Sequence, residues 1–105
     1  MKRRLPPEAI DTTGMDRVAH ISTARPQARR WTELAIYFDV ARQRRPFIAE
    51  VAGRTTVPGE IDRRRRRLFA TASQAIRFLD SSDTHGDELA RQVKAWSDTT
   101  SLWKQ

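Results

Sequence analysis

Cysteine is absent from this 105-residue chain. That excludes a disulfide framework, thiol catalysis and thiolate metal sites, and it suits a reducing, cytoplasmic setting. Histidine is limited to His20 and His85, and neither has a partner at metal-ligand spacing. With four glycines in the chain there is no dinucleotide fingerprint and no P-loop. No serine sits in a nucleophile elbow, so no Ser-His-Asp set can be argued. No apolar run approaches the roughly 18–20 residues of a membrane span. The basic start Met1-Lys2-Arg3-Arg4 gives way to Leu5-Pro6-Pro7-Glu8, which is not the apolar stretch of a secretory leader. These gaps lead to the expectation of a non-enzymatic protein with no metal, no cofactor and no membrane partner.

Positive charge is what the chain has in excess. Twenty basic residues face thirteen acidic ones, a net charge of +7. The excess is held in two blocks, residues 1–30 and 54–80, each with seven basic against three acidic residues. Residues 31–53 between them are balanced, and residues 81–105 are slightly acidic. Clustered charge of this kind attracts phosphates or acidic surfaces and speeds encounter. Lysine is nearly missing: Lys2, Lys94 and Lys104 stand against seventeen arginines. The planar guanidinium fork suits bidentate phosphate and carboxylate contacts.

A hydrophobic share of 38% against 31% charged residues permits one modest core under a wide solvated surface. The chain reads as a basic, partly flexible arm over residues 1–25 and a single helical domain over 26–105. Pro6-Pro7 and Thr12-Thr13-Gly14 break structure in the arm. Met15, Val18 and Ile21 recur at a spacing that allows one or two loose helical turns. Trp31, Leu34, Ala35, Phe38 and Ala41 fall on one helical face and predict a helix over 27–44. Pro46 would stop it and open a short helix carrying Phe47, Ile48 and Val51, ended by Gly53. After a connecting turn over 54–59, the stripe Ile61, Leu68, Ala72, Ala75 and Leu79 predicts a long helix over 60–79. A last helix over 87–96 carries Leu89, Val93 and Trp96, with Thr84 and Asp87 as a capping box and Trp103 able to extend the stripe. No stretch alternates with a two-residue period for long. The expected fold is therefore all-α: a small bundle of three main helices plus one short helix.

The run Arg63-Arg64-Arg65-Arg66-Arg67 is the strongest single feature. On a helix these five side chains would sweep past a full turn. Glu60 could pair with Arg64, and Asp62 with Arg66, at i, i+4. The rest would crowd a helix N-terminus, where the macrodipole disfavours cations. A polyanion would relieve that cost. The leading expectation is thus a nucleic-acid-binding accessory or regulatory protein, with Arg63, Arg64, Arg66 and Arg67 on the phosphates. Lys2, Arg3 and Arg4 would act as a second grip, joined by Arg29 and Arg30. The alternative is a protein-interaction module, an inhibitor or adaptor docking an acidic surface through arginine and tryptophan. A homodimer through the Trp96 stripe fits either.

Glu33-Leu34-Ala35 and Asp39-Val40-Ala41-Arg42 resemble the start of a helix-turn-helix. The pattern fails at Arg45, where an apolar residue is wanted, and at Pro46 inside the would-be recognition helix. The turn over 54–59 could offer backbone amides to a phosphate, but Glu60 and Asp62 would repel it.

Overall fold

The computed structural model describes residues 15–80 and 85–99. Over these residues the chain forms four strands and two helices. In order they are β1 (Asp16–Ser22), β2 (Arg30–Phe38), β3 (Phe47–Thr55), β4 (Arg63–Phe69), α1 (Ala72–Leu79) and α2 (Gly86–Thr99). The strands pair with their sequence neighbours in an antiparallel meander, β1-β2-β3-β4. The expected all-α bundle is incorrect: three of its segments are strands wholly or in part.

The reason lies in how the central strands are buried. Residues directly opposite in an antiparallel pair share a face. Leu34, Ile36 and Phe38 of β2 stand beside Val51, Ala49 and Phe47 of β3 on the face that carries the helices. Trp31, Glu33, Ala35 and Tyr37 point the other way, beside Arg54, Ala52, Glu50 and Ile48. Leu34, Ala35 and Ile36 are all buried, as are Phe47, Ile48, Ala49 and Glu50. Apolar residues therefore occupy both parities, and no clean alternation is left to read. Ile36, Tyr37, Phe38, Ile48 and Val51 are of the β-branched and aromatic kinds that suit a pleated surface.

The segment expected as a short helix from Pro46 is instead the hairpin return from β2 into β3. Asp39 N donates to the Pro46 carbonyl at 2.8 Å, closing that hairpin. The loose helical turns expected around Val18 are strand β1. A register irregularity between Arg17 and Ala19 lets both Val18 and Ala19 enter the core. The long helix expected over 60–79 is split. Its first part is β4, and the helix begins only at Ala72, where the Thr71 side chain accepts from Gln74 N.

The turn expected over 54–59 begins later, because β3 runs on to Thr55. Glu60 N donates to the Val57 carbonyl, and Gly59 adopts φ 86. The last helix holds, extended to Gly86–Thr99. Asp80 ties it to α1 by accepting from His85 N at 3.0 Å. A Cβ on Gly86 would lie 2.4 Å from that carboxylate, so a side chain there would push the Asp80 carboxylate aside. Thr84, Trp103, Pro6-Pro7, Thr12-Thr13-Gly14, Lys2, Arg3 and Arg4 lie outside the described residues.

Both helices cover one face of the sheet. α1 packs mainly on β3, α2 on β1, and each on the other. Between them and the sheet lie Val18, Ala19, Leu34, Ile36, Phe47, Ala49, Ala75, Leu79 and Leu89. Trp96 packs inward at 5.1 Å from Phe38 and 6.3 Å from Phe47, so the stripe expected as a dimer seam contributes to this core. At the β1 rim the Gln92 side chain stands in for a strand. Its Oε1 accepts from His20 N at 2.7 Å, and its Nε2 donates to the His20 carbonyl at 3.0 Å.

Candidate nucleic-acid interface

The arginine run is an edge strand, not a helix, and this decides where each guanidinium goes. Along β4 the side chains alternate between faces. Arg63, Arg65 and Arg67 stand opposite Gly53, Val51 and Ala49 on the helix-bearing face. Arg64 and Arg66 stand opposite Ala52 and Glu50 on the other. An expected arginine-rich helix with Arg63, Arg64, Arg66 and Arg67 along one groove is therefore not what the chain presents.

Several of these groups are already held by carboxylates. Arg66 donates to Glu50, the two side chains being 9% and 8% exposed. Arg30 pairs with Glu60. Glu60 and Asp62 were expected to neutralise Arg64 and Arg66 within a helix. In the hairpin they reach across instead, Glu60 to Arg30 and Asp62 to Arg54 at 3.0 Å. Arg29 is exposed in the loop before β2.

One end of the face away from the helices is thus a polar network centred on Glu33. That carboxylate accepts from Trp31 Nε1 at 3.1 Å and Arg54 Nε at 3.1 Å, and it lies 3.0 Å from His20 Nε2. The hydrogen bond with His20, aided by Trp31 and Arg54, holds the Glu33 carboxyl below its ordinary range. Arg30 and then Thr55 bring Glu60 down to about 2. The Thr55 amide and Arg54 lower Asp62. Arg54 and Arg30 are raised in turn, chiefly by their hydrogen bonds to Asp62 and Glu60.

The helix-bearing side of β4 is different. Arg65 and Arg67 each lie 5.8 Å from the Phe78 ring, and Arg67 is equally far from Phe69. The two rings are 5.4 Å apart. Stacking on aromatic faces fixes the plane of a guanidinium while leaving its donors outward. Arg77 from α1 and Arg45 from the β2–β3 hairpin join Arg67 around a shallow groove of about 530 Å³, floored by Phe69 and Phe78 and flanked by Gln74. Arg45, Arg65, Arg67 and Arg77 have no carboxylate partner among the described residues.

Alternate strand residues lie ~6.8 Å apart, so Arg63, Arg65 and Arg67 present charge at a spacing commensurate with the phosphates of an extended nucleic-acid strand. Arg45 and Arg77 were not singled out from the sequence, since each is isolated there and only the fold brings it to Arg67. At the far end of β4, Arg63 borders a second recess of about 670 Å³, lined by Thr32, Gly53, Thr55 and Ile61. No described helix is long and apolar enough to cross a membrane. No protein family, characterised protein or solved structure was found to match the chain.

Proposed function

We propose that the protein binds nucleic acid through the helix-bearing side of β4, with Arg63, Arg65, Arg67, Arg77 and Arg45 on phosphates. One observation carries this reading: exposed guanidinium groups gather around Phe69 and Phe78, four of them with no carboxylate partner among the described residues, while carboxylates elsewhere are spent on Arg30, Arg54 and Arg66. Uncompensated positive charge raises the local potential and attracts a polyanion. The described residues of the site lie on a strand edge, a hairpin and the side of α1, an arrangement that holds the backbone and carries little sequence information.

The test is a salt titration of binding to labelled DNA, followed by fluorescence anisotropy. Each phosphate contact contributes ~0.7–0.9 to the slope of log affinity against log salt. Replacing Arg65, Arg67 and Arg77 together by alanine lowers that slope by about 2 or more. Arg64→Ala, on the opposite face, changes it little. No binding at low salt, or equal loss from both variants, would exclude the interface.

The edge position of β4 favours one alternative. An acidic extended segment of another protein could lie alongside β4 and meet arginines on both faces. A complex that survives nuclease treatment and is lost on Arg64→Ala would select it.

A further inference from the structure

The recess beside Arg63 contains a glycine that neither backbone nor packing demands. Gly53 lies within the central strand β3, between Thr32 of β2 and Arg63 of β4. Its φ is outside the left-handed region, unlike that of Gly59. A Cβ built on it would meet nothing nearer than the Arg63 carbonyl at 3.9 Å, an ordinary contact. Glycine in a strand interior sacrifices side-chain packing and chain entropy, and it often marks a place where another molecule comes close to the backbone. Gly53 is exposed, so the sheet surface there is bare.

The surroundings fit a flat, uncharged guest. Ile61 rises from the β3–β4 hairpin with 81% of its surface exposed, a large apolar side chain at the rim. Among the described residues, none from α1 or α2 lines the recess. Although Arg30 and Arg54 border it, Glu60 holds the first and Glu33 and Asp62 hold the second. The recess is therefore far less positive than the groove at Arg67. Its volume of about 670 Å³ falls within the range of small-ligand pockets. From Arg63 to Arg67 the strand covers ~14 Å at its usual rise, so one ligand spanning a few phosphates would reach from the recess to the Phe78 groove.

We propose that the Gly53 recess receives an unpaired nucleobase, lying between the bare strand and Ile61, from the nucleic-acid strand whose phosphates run along Arg63, Arg65 and Arg67. The ligand is then single-stranded. Bases in a duplex are stacked and paired and cannot turn into a side recess, whereas an open strand offers each base face at no such cost. This inference rests on the phosphate-binding reading of β4, and it adds a base-dependent contribution to it.

The experiment compares three labelled probes at one salt concentration: an oligothymidylate, an abasic oligomer of the same length and charge, and a duplex of that length. The wild-type chain binds the oligothymidylate about tenfold more tightly than the abasic oligomer, the size expected of one stacked base. Gly53→Val removes that advantage and leaves abasic and duplex binding unchanged. Because valine suits a strand, the variant melts no lower than wild type. Ile61→Ser, on an exposed loop, reduces the same advantage without depending on the strand interior.

Equal affinity for base-bearing and abasic strands, or an advantage that persists in both variants, overturns the nucleobase site while leaving the phosphate track standing. Absence of binding to all three probes overturns both.

Discussion

Arg66 looks in sequence like any other member of a run of five, yet its replacement should have a different outcome from that of its neighbours. Its guanidinium and the Glu50 carboxylate are 9% and 8% exposed and bonded through Nε. Removing one member of a buried pair leaves the other charge without its compensation, at a cost of roughly 3–5 kcal/mol. Against a domain stability of about 5–15 kcal/mol, Arg66→Met, which leaves the buried Glu50 carboxylate without its guanidinium, removes a large fraction. At ~4–8 °C per kcal/mol, a loss of about 3 kcal/mol lowers Tm by ~12–24 °C.

Replacing both residues, as Glu50→Leu with Arg66→Met, removes the stranded charge and recovers most of that loss. The double-mutant cycle then gives a coupling of about 2 kcal/mol or more. Arg64→Ala, exposed on the same face, changes stability by less than about 0.5 kcal/mol. Urea denaturation of the four variants supplies every term. Single substitutions costing under about 1 kcal/mol, or strictly additive effects, would refute the claim that Arg66 is spent on the fold.

Other outcomes follow from the same contacts. The Glu60, Glu33 and Asp62 carboxyls are all held below their ordinary range. Their contribution is therefore present above the unfolded-state pKa and lost as pH falls through the folded one. For Glu60 that window runs from 4.5 down to about 2. Urea midpoints should decline across it, and Glu60→Gln should flatten the decline. Gln92→Leu keeps a good helix former but leaves the His20 N–H and carbonyl without their partner, costing about 1–2 kcal/mol. Faster amide exchange at His20 would report the loss directly, and unchanged protection there would exclude the role given to Gln92.

What the sequence reveals depends on whether an element's residues differ between its two faces. In α2, Leu89, Val93 and Trp96 turn inward while Asp87, Arg91 and Lys94 do not, so a helical period is plain. In β2 both faces are covered at the centre. Trp31, Leu34, Ala35 and Phe38 then fall by coincidence on a helical stripe, although Trp31 and Ala35 point away from Leu34 and Phe38. β4 is harder still, since five identical residues carry no period at all, and Leu68 completes a stripe with Ala72, Ala75 and Leu79 across a real break at Thr71.

The arginine excess itself is legible. Its partition is not, because helix and strand distribute consecutive side chains differently. A helix at residues 60–67 joins Glu60 to Arg64, whereas a hairpin joins it to Arg30. Arg45 and Arg77 could be found only once β2, β3 and α1 were placed beside β4.

The two rims of the sheet are closed by different means, and the difference has a consequence for crowded solutions. At β1 a side-chain amide already satisfies the middle of the rim; at β4 a fence of like charge repels any second copy that approaches. The first barrier is indifferent to salt, while the second weakens as counterions accumulate. High ionic strength would therefore promote pairing of two copies through their β4 rims alone, an association that stops at two because each copy then turns only its β1 rim outward.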